Sequence, residues 1–183
     1  MKIYMINYIF TPLYIKNAQS ASLCSLITAP FGGVLNVQRC NNIPDILLIT
    51  SIIIFLWFKK FKLLLIFIIG YILNRCLNIL LRNTIKDKRL TEYGDAKYNM
   101  PSGHSQSVFY SLVFIVLFLW NKNSLHYWIL LFYSILCIGT VYTCIMYNYH
   151  TIDQVIIGSL IGGMFAFLSY NFAKINFKKF SIY

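Results

Sequence analysis

The sequence predicts an all-α fold, a polytopic bundle of five transmembrane helices, or six if the N-terminal segment also enters the membrane. Of the 183 residues, 58% are hydrophobic and 11% are charged. The apolar residues come in long runs, and a run of about 20 such residues crosses the hydrocarbon. The formal net charge of +11 would indicate nucleic acid in a soluble domain. Here lysines end the apolar runs, which is typical of membrane-surface loops, so no nucleic-acid partner is expected.

Three regions follow along the chain. Residues 1–43 are expected to form an N-terminal interfacial or loop segment, beginning with an aromatic-rich stretch that predicts an interfacial or short inserted helix. The helix bundle is predicted over residues 44–174, with apolar helices at 46–58, 63–81, 107–120, 127–147 and 155–172. Residues 175–183 are expected to form a basic cytoplasmic tail.

The predicted threading assigns the polar segments to two faces of the membrane. The helix after His104 crosses the membrane, and the next helix returns over a similar length, so His150 is expected on the same face as His104. The opposite face carries Lys59, Lys60, Lys62, Lys122, Lys174, Lys178 and Lys179. The positive-inside rule makes that face cytoplasmic. The histidine face has its own charges, namely Arg82, Lys86, Lys88, Arg89 and Lys97, so this orientation requires another role for them.

The segment Pro101-Ser102-Gly103-His104 joins two apolar runs. Pro101 is well placed as the first residue of a helix. Ser102 and Gly103 then offer a hydroxyl and N–H groups at a helix N-terminus, which suits an anion such as phosphate. His104 is suited to transfer a proton near neutral pH. A capped polar loop is the simpler alternative for this segment taken alone.

Basic and amide side chains line the preceding apolar run. Arg82 and Arg89 are seven residues apart, so they point the same way if the helix continues, and guanidinium groups are well shaped to bind phosphate. Snorkelling to lipid head groups is the alternative. Asn74 and Asn78 share a helical stripe with Arg82, and Arg75 lies inside the apolar run itself.

A second histidine, His150, is predicted to end the returning helix. Asp153 and Gln154 follow three and four residues later and can face it across one helical turn. Either group can hold one ring nitrogen and aim the other, as an imidazole nucleophile needs. An interfacial histidine with a capping aspartate is the alternative. Beyond this region, Gly158 and Gly162 predict close helix packing.

The five cysteines show no CxxC pair and no metal-ligand spacing, so no metal site is expected. Cys76, Cys137 and Cys144 lie in apolar runs and are expected to be small buried side chains. Whether Cys24 and Cys40 pair is left open.

In combination these features resemble the three motifs of the type 2 phosphatidic acid phosphatase superfamily. The motifs here are Arg82-x6-Arg89, Pro101 to His104, and His150 with Asp153 and Gln154. The stretches LNRCLNILLRNTIKDKR, KYNMPSGHSQ and YHTIDQV are similar to the dolichyldiphosphatase branch. The likeness covers about residues 60–170 and leaves the first 43 residues outside.

The resemblance implies roles for the site residues. Arg82 and Arg89 would bind the substrate phosphate, with help from Ser102 and the Gly103 N–H. His104 would protonate the leaving oxygen.

The resemblance also makes His150 the nucleophile, which would form a phosphohistidine that water hydrolyses. The residue four after this histidine is an acid in most of the family. Gln154 occupies that position as a supporting residue, and Asp153 is expected to do the work of the acid. The scheme needs neither metal nor cofactor.

Two positions depart from the family pattern. Leu90 replaces a proline after Arg89, which implies a small loss of loop stiffness. Thr143 and Cys144 stand where the third motif has a hydroxyl residue and an arginine. Loss of a charge that clamps the transferring phosphoryl group commonly costs about 10² or more in rate. Either another base (Arg75, Lys86 or Lys88) fills the gap, or the protein is a weakened or inactive relative.

The sequence therefore predicts a metal-independent integral membrane phosphatase that acts on a lipid phosphate. The expected substrate is a polyprenyl (dolichyl-type) diphosphate, in the endoplasmic reticulum with the active site on the lumenal face. The alternatives are a phosphatidate or related phospholipid phosphatase, and a non-catalytic protein that binds phosphorylated lipid. A transporter is disfavoured, because the polar residues gather at one boundary and not at mid-membrane. The sequence leaves the oligomeric state open.

Overall fold

A computed structural model describes residues 42–87, 98–121, 126–146 and 149–177 of the chain. These residues form five helices: α1 (Ile43–Trp57), α2 (Phe61–Ile85), α3 (Gly103–Asn121), α4 (Tyr127–Met146) and α5 (Ile152–Phe177). Several sequence predictions fall outside the described residues, namely those on residues 1–41, Lys88, Arg89, Leu90, Lys97, Lys122 and residues 178–183.

The predicted all-α membrane bundle is confirmed. In the described part of the chain, the four helices α2 to α5 are long and apolar enough to cross a membrane, whereas α1 is shorter with 15 residues. Large apolar side chains face outward along the helices, for example Ile72, Leu80, Ile138, Leu160 and Phe172. This inside-out arrangement suits a hydrocarbon solvent, in which the backbone polar groups must be satisfied within each helix.

Helix ends differ from the predicted ones at two places that matter for the site. The helix α2 continues past the apolar run to Ile85, where Lys86 adopts a left-handed conformation and its N–H bonds to the Arg82 carbonyl. The prediction of Pro101 as a first helical residue is wrong, because α3 begins two residues later at Gly103. The Pro101 carbonyl is instead an acceptor for α2 side chains.

The helix α3 is the centre of the bundle, with the largest buried share of the four long helices. Phe114 and Phe118 of α3 pack edge-on against Phe55 of α1, and Phe67 of α2 contacts both Phe55 and Phe114. Such offset and edge-on pairs add to the burial of the rings themselves. The two N-terminal helices are thus held against α3 by aromatic rings.

The predicted close packing at Gly158 and Gly162 is confirmed, and α3 packs most closely against α5. A Cβ atom at Gly162 would stand 2.0 Å from the Gln106 carbonyl oxygen, and one at Gly158 would stand 2.6 Å from the Ser102 carbonyl oxygen. Both approaches are too short for any side chain. The glycines therefore let α5 lie backbone against backbone on the start of α3, which is the part that carries His104.

Candidate active site

The two histidines that the sequence places far apart meet at one end of the bundle. Their ring centroids are 6.3 Å apart and the ring planes are inclined by 60°. His104 is the second residue of α3 and is half-buried, whereas His150 is 3% exposed. Reacting groups in enzyme sites lie about 3–3.5 Å from the atom they attack or protonate. Both rings can therefore approach one phosphoryl group from two sides.

The polar stripe on α2 holds the segment that leads into α3. The Asn78 amide donates to the Pro101 carbonyl (3.2 Å) and to Gln106 Oε1 (2.7 Å). The Gln106 amide in turn donates to the carbonyl and side-chain oxygens of Asn74, at 2.9 and 2.8 Å. These three amide side chains are buried, so their hydrogen bonds fix the start of α3 against α2.

Arg82 continues the same stripe and reaches the start of α3. Its Nε donates to the Pro101 carbonyl at 3.1 Å, and its Nη2 stands 3.1 Å from where a Cβ of Gly103 would lie. The guanidinium is half-buried, and Gly103, the residue that it approaches, directly precedes His104 in α3. An anion here is attracted both by the positive charge of the guanidinium and by the N–H groups of the helix N-terminus. The second predicted arginine, Arg89, lies outside the described residues.

Ser102 is completely buried and serves as an anchor. Its hydroxyl accepts from the Ser105 N–H (3.4 Å) and hydroxyl (3.1 Å), as a helix-capping serine does. Its own N–H donates to the Gln154 carbonyl at 3.0 Å. The predicted contact of Ser102 with phosphate stays a prediction. Gly103, as the first residue of α3, presents one of the N–H groups that have no acceptor within the helix.

His150 lies in the turn after α4, not at the end of that helix as predicted. The helix ends at Met146, and the N–H groups of Tyr149 and His150 both donate to the Cys144 carbonyl at 3.1 Å. The next helix, α5, begins at Ile152. The backbone of His150 is therefore bonded to the last turn of α4, two residues before α5 begins.

Gln154 contacts the nucleophile candidate directly. The Nδ1 of His150 lies 3.1 Å from Gln154 Oε1. An amide oxygen only accepts, so the proton of this bond belongs to Nδ1, and in the neutral ring Nε2 then carries the lone pair. Asp153, to which the sequence assigned the role of the acid, is exposed on the surface of α5. The work of orienting the ring thus falls to the residue predicted only as supporting.

Two further residues at this site were missed by sequence reasoning. Asn99 is buried, and its side-chain amide donates to the Tyr149 carbonyl and to Gln154 Oε1. Asp87 accepts from the Gln154 amide nitrogen at 2.8 Å. Asn99 lies within the quoted stretch KYNMPSGHSQ but was given no role. Asp87 lies among lysines in the sequence, where a carboxylate is typical of a solvated surface.

Cys144 replaces the third-motif arginine inside this same cluster. Its side chain is buried beside Ser102. Of the basic residues proposed to fill the gap, Arg75 donates to the Ser107 hydroxyl at 3.4 Å, two helical turns along α2 from Arg82. Lys86 is exposed just beyond the end of α2, and Lys88 lies outside the described residues. Arg75 is thus placed away from the histidine pair.

The described ranges contain no group of three His, Cys, Asp or Glu side chains that could hold a metal ion. The described part of the site offers two imidazoles, the Arg82 guanidinium and a helix N-terminus.

Comparison with known proteins agrees with this arrangement. Residues 47–178 match the PAP2 superfamily. The chain is 30% identical to "Dolichyldiphosphatase 1" of Dictyostelium discoideum over 160 residues, which cover 82% of this chain and 69% of that protein. It is 28% identical to "Dolichyldiphosphatase 1" of Homo sapiens over 149 residues, covering 73% of this chain and 62% of the human protein.

The chain thus spans between three fifths and seven tenths of the length of these two relatives. No solved structure matches it. A bundle of apolar helices, a histidine pair at one end and a family match over most of the length lead to the same assignment. The chain belongs to the PAP2 superfamily and, within it, to the dolichyldiphosphatase-like branch.

Proposed function

We propose that this protein is an integral membrane phosphatase that hydrolyses a polyprenyl diphosphate of the dolichyl type through a phosphohistidine on His150. The observation that carries the proposal is the 6.3 Å pairing of His104 and His150, with the ring of His150 oriented by Gln154. The relatives named above support the substrate class.

The first step transfers the terminal phosphoryl group to the enzyme. The Nε2 lone pair of His150 attacks the terminal phosphorus, and the bond from phosphorus to the bridging oxygen breaks. His104 gives its proton to that oxygen, so polyprenyl monophosphate leaves. Arg82, Arg89 and the Gly103 N–H bind the phosphate oxygens and stabilise their charge in the transition state.

The second step releases the phosphate. His104, now neutral, takes a proton from a water molecule as the water oxygen attacks phosphorus. The bond between phosphorus and Nε2 of His150 breaks, and inorganic phosphate is formed. Both histidines return to their starting states, and no metal takes part in the scheme.

The place of the site supports a lipid substrate. The histidines lie at the ends of apolar helices, so a charged head group can enter from the aqueous side while its hydrocarbon tail stays in the bilayer. We further propose that the membrane is that of the endoplasmic reticulum and that the site opens to the lumen. The lysines at the opposite end of α1 and α2 support this orientation.

The test measures release of inorganic phosphate by the purified full-length protein in nanodiscs, with polyprenyl diphosphate and phosphatidate as parallel substrates. We expect hydrolysis of the diphosphate to fall to background in His150→Ala and strongly in His104→Ala. His126→Asn is the matched control, because His126 stacks against Phe58 at the far end of the bundle and is expected to be dispensable.

Trapping of labelled phosphate on the wild-type protein and its loss in His150→Ala would identify the intermediate. Faster hydrolysis of phosphatidate would assign the protein to the alternative phospholipid reaction. Equal background rates in wild type and His150→Ala would contradict any hydrolase and favour a protein that only binds phosphorylated lipid. This second candidate function, binding of phosphorylated lipid without hydrolysis, is retained because Cys144 stands where the family motif has arginine.

A further inference from the structure

A chain of three side chains leads from the surface to the candidate nucleophile. Asp87 Oδ2 accepts from the amide nitrogen of Gln154 at 2.8 Å, and the amide oxygen of Gln154 lies 3.1 Å from Nδ1 of His150. The three residues come from different places, the end of α2, the first turn of α5 and the turn before it. Gln154 is 1% exposed, so this connection runs through the interior.

The orientation of the Gln154 amide is fixed independently of the histidine. Its Oε1 also accepts from the backbone N–H of Thr151 and from the side-chain amide of Asn99, both at 3.2 Å. A backbone N–H can only donate, and a carboxylate such as Asp87 accepts. The oxygen must therefore face His150 and Thr151, and the nitrogen must face Asp87.

Asp87 is held in place through its main chain. Its carbonyl accepts from the Asn99 N–H at 3.0 Å, one residue after the left-handed turn at Lys86 that ends α2. The Asp87 side chain is exposed. The main-chain bond to Asn99 nevertheless holds the Asp87 backbone in place, and this limits where the carboxylate can lie. Asn99 thus hydrogen-bonds two of the three members, through the Asp87 carbonyl and the amide oxygen of Gln154.

We propose that Asp87 is a positioning residue that acts on His150 through the Gln154 amide. Donation of the amide N–H to a carboxylate draws electron density toward Oε1, since hydrogen bonds in a chain polarise one another. Oε1 then accepts the Nδ1 proton more strongly. This holds the reactive tautomer and stabilises the positive charge that the ring gains as Nε2 bonds to phosphorus.

The inference rests on the proposed role of His150 as nucleophile, and the experiment separates the two ideas. Its variants are Asp87→Asn, Gln154→Glu and the double exchange of both. Asp45→Asn is the matched control, because Asp45 is another exposed carboxylate, in the first turn of α1, and its loss changes the net charge equally. The first readout is kcat and KM for release of phosphate from polyprenyl diphosphate in nanodiscs.

We expect Asp87→Asn to lower kcat about tenfold, the lower end of the effect of removing outer partners of metal-bound histidines, with little change in KM. Gln154→Glu places two carboxylates at the 2.8 Å contact and is expected to lose more. The double variant, Asp87→Asn with Gln154→Glu, keeps the shape and the net charge of the pair and again places an amide donor opposite a carboxylate. It is expected to recover most of the activity, whereas Asp45→Asn stays at the wild-type value.

The second readout is the ring ¹⁵N spectrum of histidine-labelled protein, which the chain's three histidines make simple to assign with a His150→Asn variant. It reports which nitrogen carries the proton whether or not the protein hydrolyses anything. We expect the Nδ1–H form of His150 in wild type and a shift toward Nε2–H in Asp87→Asn. A His150 spectrum and a kcat that respond to Asp87→Asn no more than to Asp45→Asn would overturn the relay. An inactive wild type whose His150 signal still responds to Asp87→Asn would refute the phosphatase and leave the relay standing.

Discussion

At the scale of single residues, position 144 is expected to affect how well the site stabilises a phosphoryl group. The Cys144 thiol contacts the Ser102 hydroxyl, and its carbonyl receives the N–H groups of Tyr149 and His150. A longer side chain here would therefore start from within the cluster that holds the nucleophile. On the proposed mechanism, cysteine in place of arginine at this position removes a positive charge beside the reacting phosphate.

Replacing Cys144→Arg is expected to raise kcat, by up to about 10² if the guanidinium reaches the phosphate as a preorganised donor. Phosphate release from polyprenyl diphosphate measures the gain. Cys144→Ser is the control for a change of size and polarity without charge and is expected to give no gain. A rate for Cys144→Arg at or below that of Cys144→Ser would show that another base already supplies the charge.

Gln154 and Asp153 provide a second test at the residue scale. Because Gln154 holds Nδ1 of His150 and Asp153 is exposed, Gln154→Ala is expected to reduce kcat about tenfold or more, and Asp153→Asn by less. The measurement is the same phosphate-release assay on both variants. The opposite ranking would restore Asp153 to the role that the sequence assigned to it.

The sequence could identify both histidines and the two candidate partners of His150, since residues three and four positions ahead can share a side of a helix. It assigned the work of the acid to Asp153, whereas the contact with His150 is made by Gln154. The choice between the two depends on where α5 begins, and α5 starts at Ile152, after His150 and not before it. The role of Asp87 could not be predicted from the sequence either, because its partner Gln154 is 67 positions away in the chain.

At the scale of helices, the contact of α3 with α5 sets the geometry of the site. Gly158 lies against the Ser102 carbonyl and Gly162 against the Gln106 carbonyl. The GxxxG spacing predicted close packing from the sequence alone. The partner helix could not be predicted in this way, because the spacing describes one surface and says nothing of what covers it.

Gly162→Ala is expected to destabilise the protein by about 1–3 kcal/mol, the usual cost of forcing atoms into a packed interior, since its Cβ would stand 2.0 Å from a backbone oxygen. Gly163→Ala is the matched control, because a Cβ there meets Val113 at an ordinary 3.5 Å. Thermal unfolding in one detergent measures both. Equal midpoints for the two variants would contradict the packing described for α3 and α5.

At the scale of the whole molecule, the two ends of the bundle differ in chemistry. The histidine end carries Arg82, Asp87 and the polar cluster, whereas three exposed tryptophans mark the other end, at the end of α1 (Trp57, 81% exposed), the end of α3 (Trp120, 69%) and the start of α4 (Trp128, 83%). Tryptophan is enriched where a bilayer meets water. The chain is thus a multi-pass membrane protein, and one membrane boundary of its described helices lies at these three tryptophans.

Glycosylation acceptor sites test which compartment each end faces. An acceptor inserted between residues 88 and 97 is expected to be modified in microsomes, because that segment follows the histidine end of α2. An acceptor inserted between residues 122 and 125, which joins the tryptophan ends of α3 and α4, is expected to remain unmodified. Modification of the second site in place of the first would place the histidines in the cytoplasm.

The segments that carry the two histidines are tied together by main-chain atoms. The Ser102 N–H donates to the Gln154 carbonyl, two residues before one imidazole and four residues after the other. A bond of this kind survives most substitutions, since it uses no side chain. The segments that carry His104 and His150 are therefore expected to move together, so that the spacing of the two rings is preserved when a lipid head group enters.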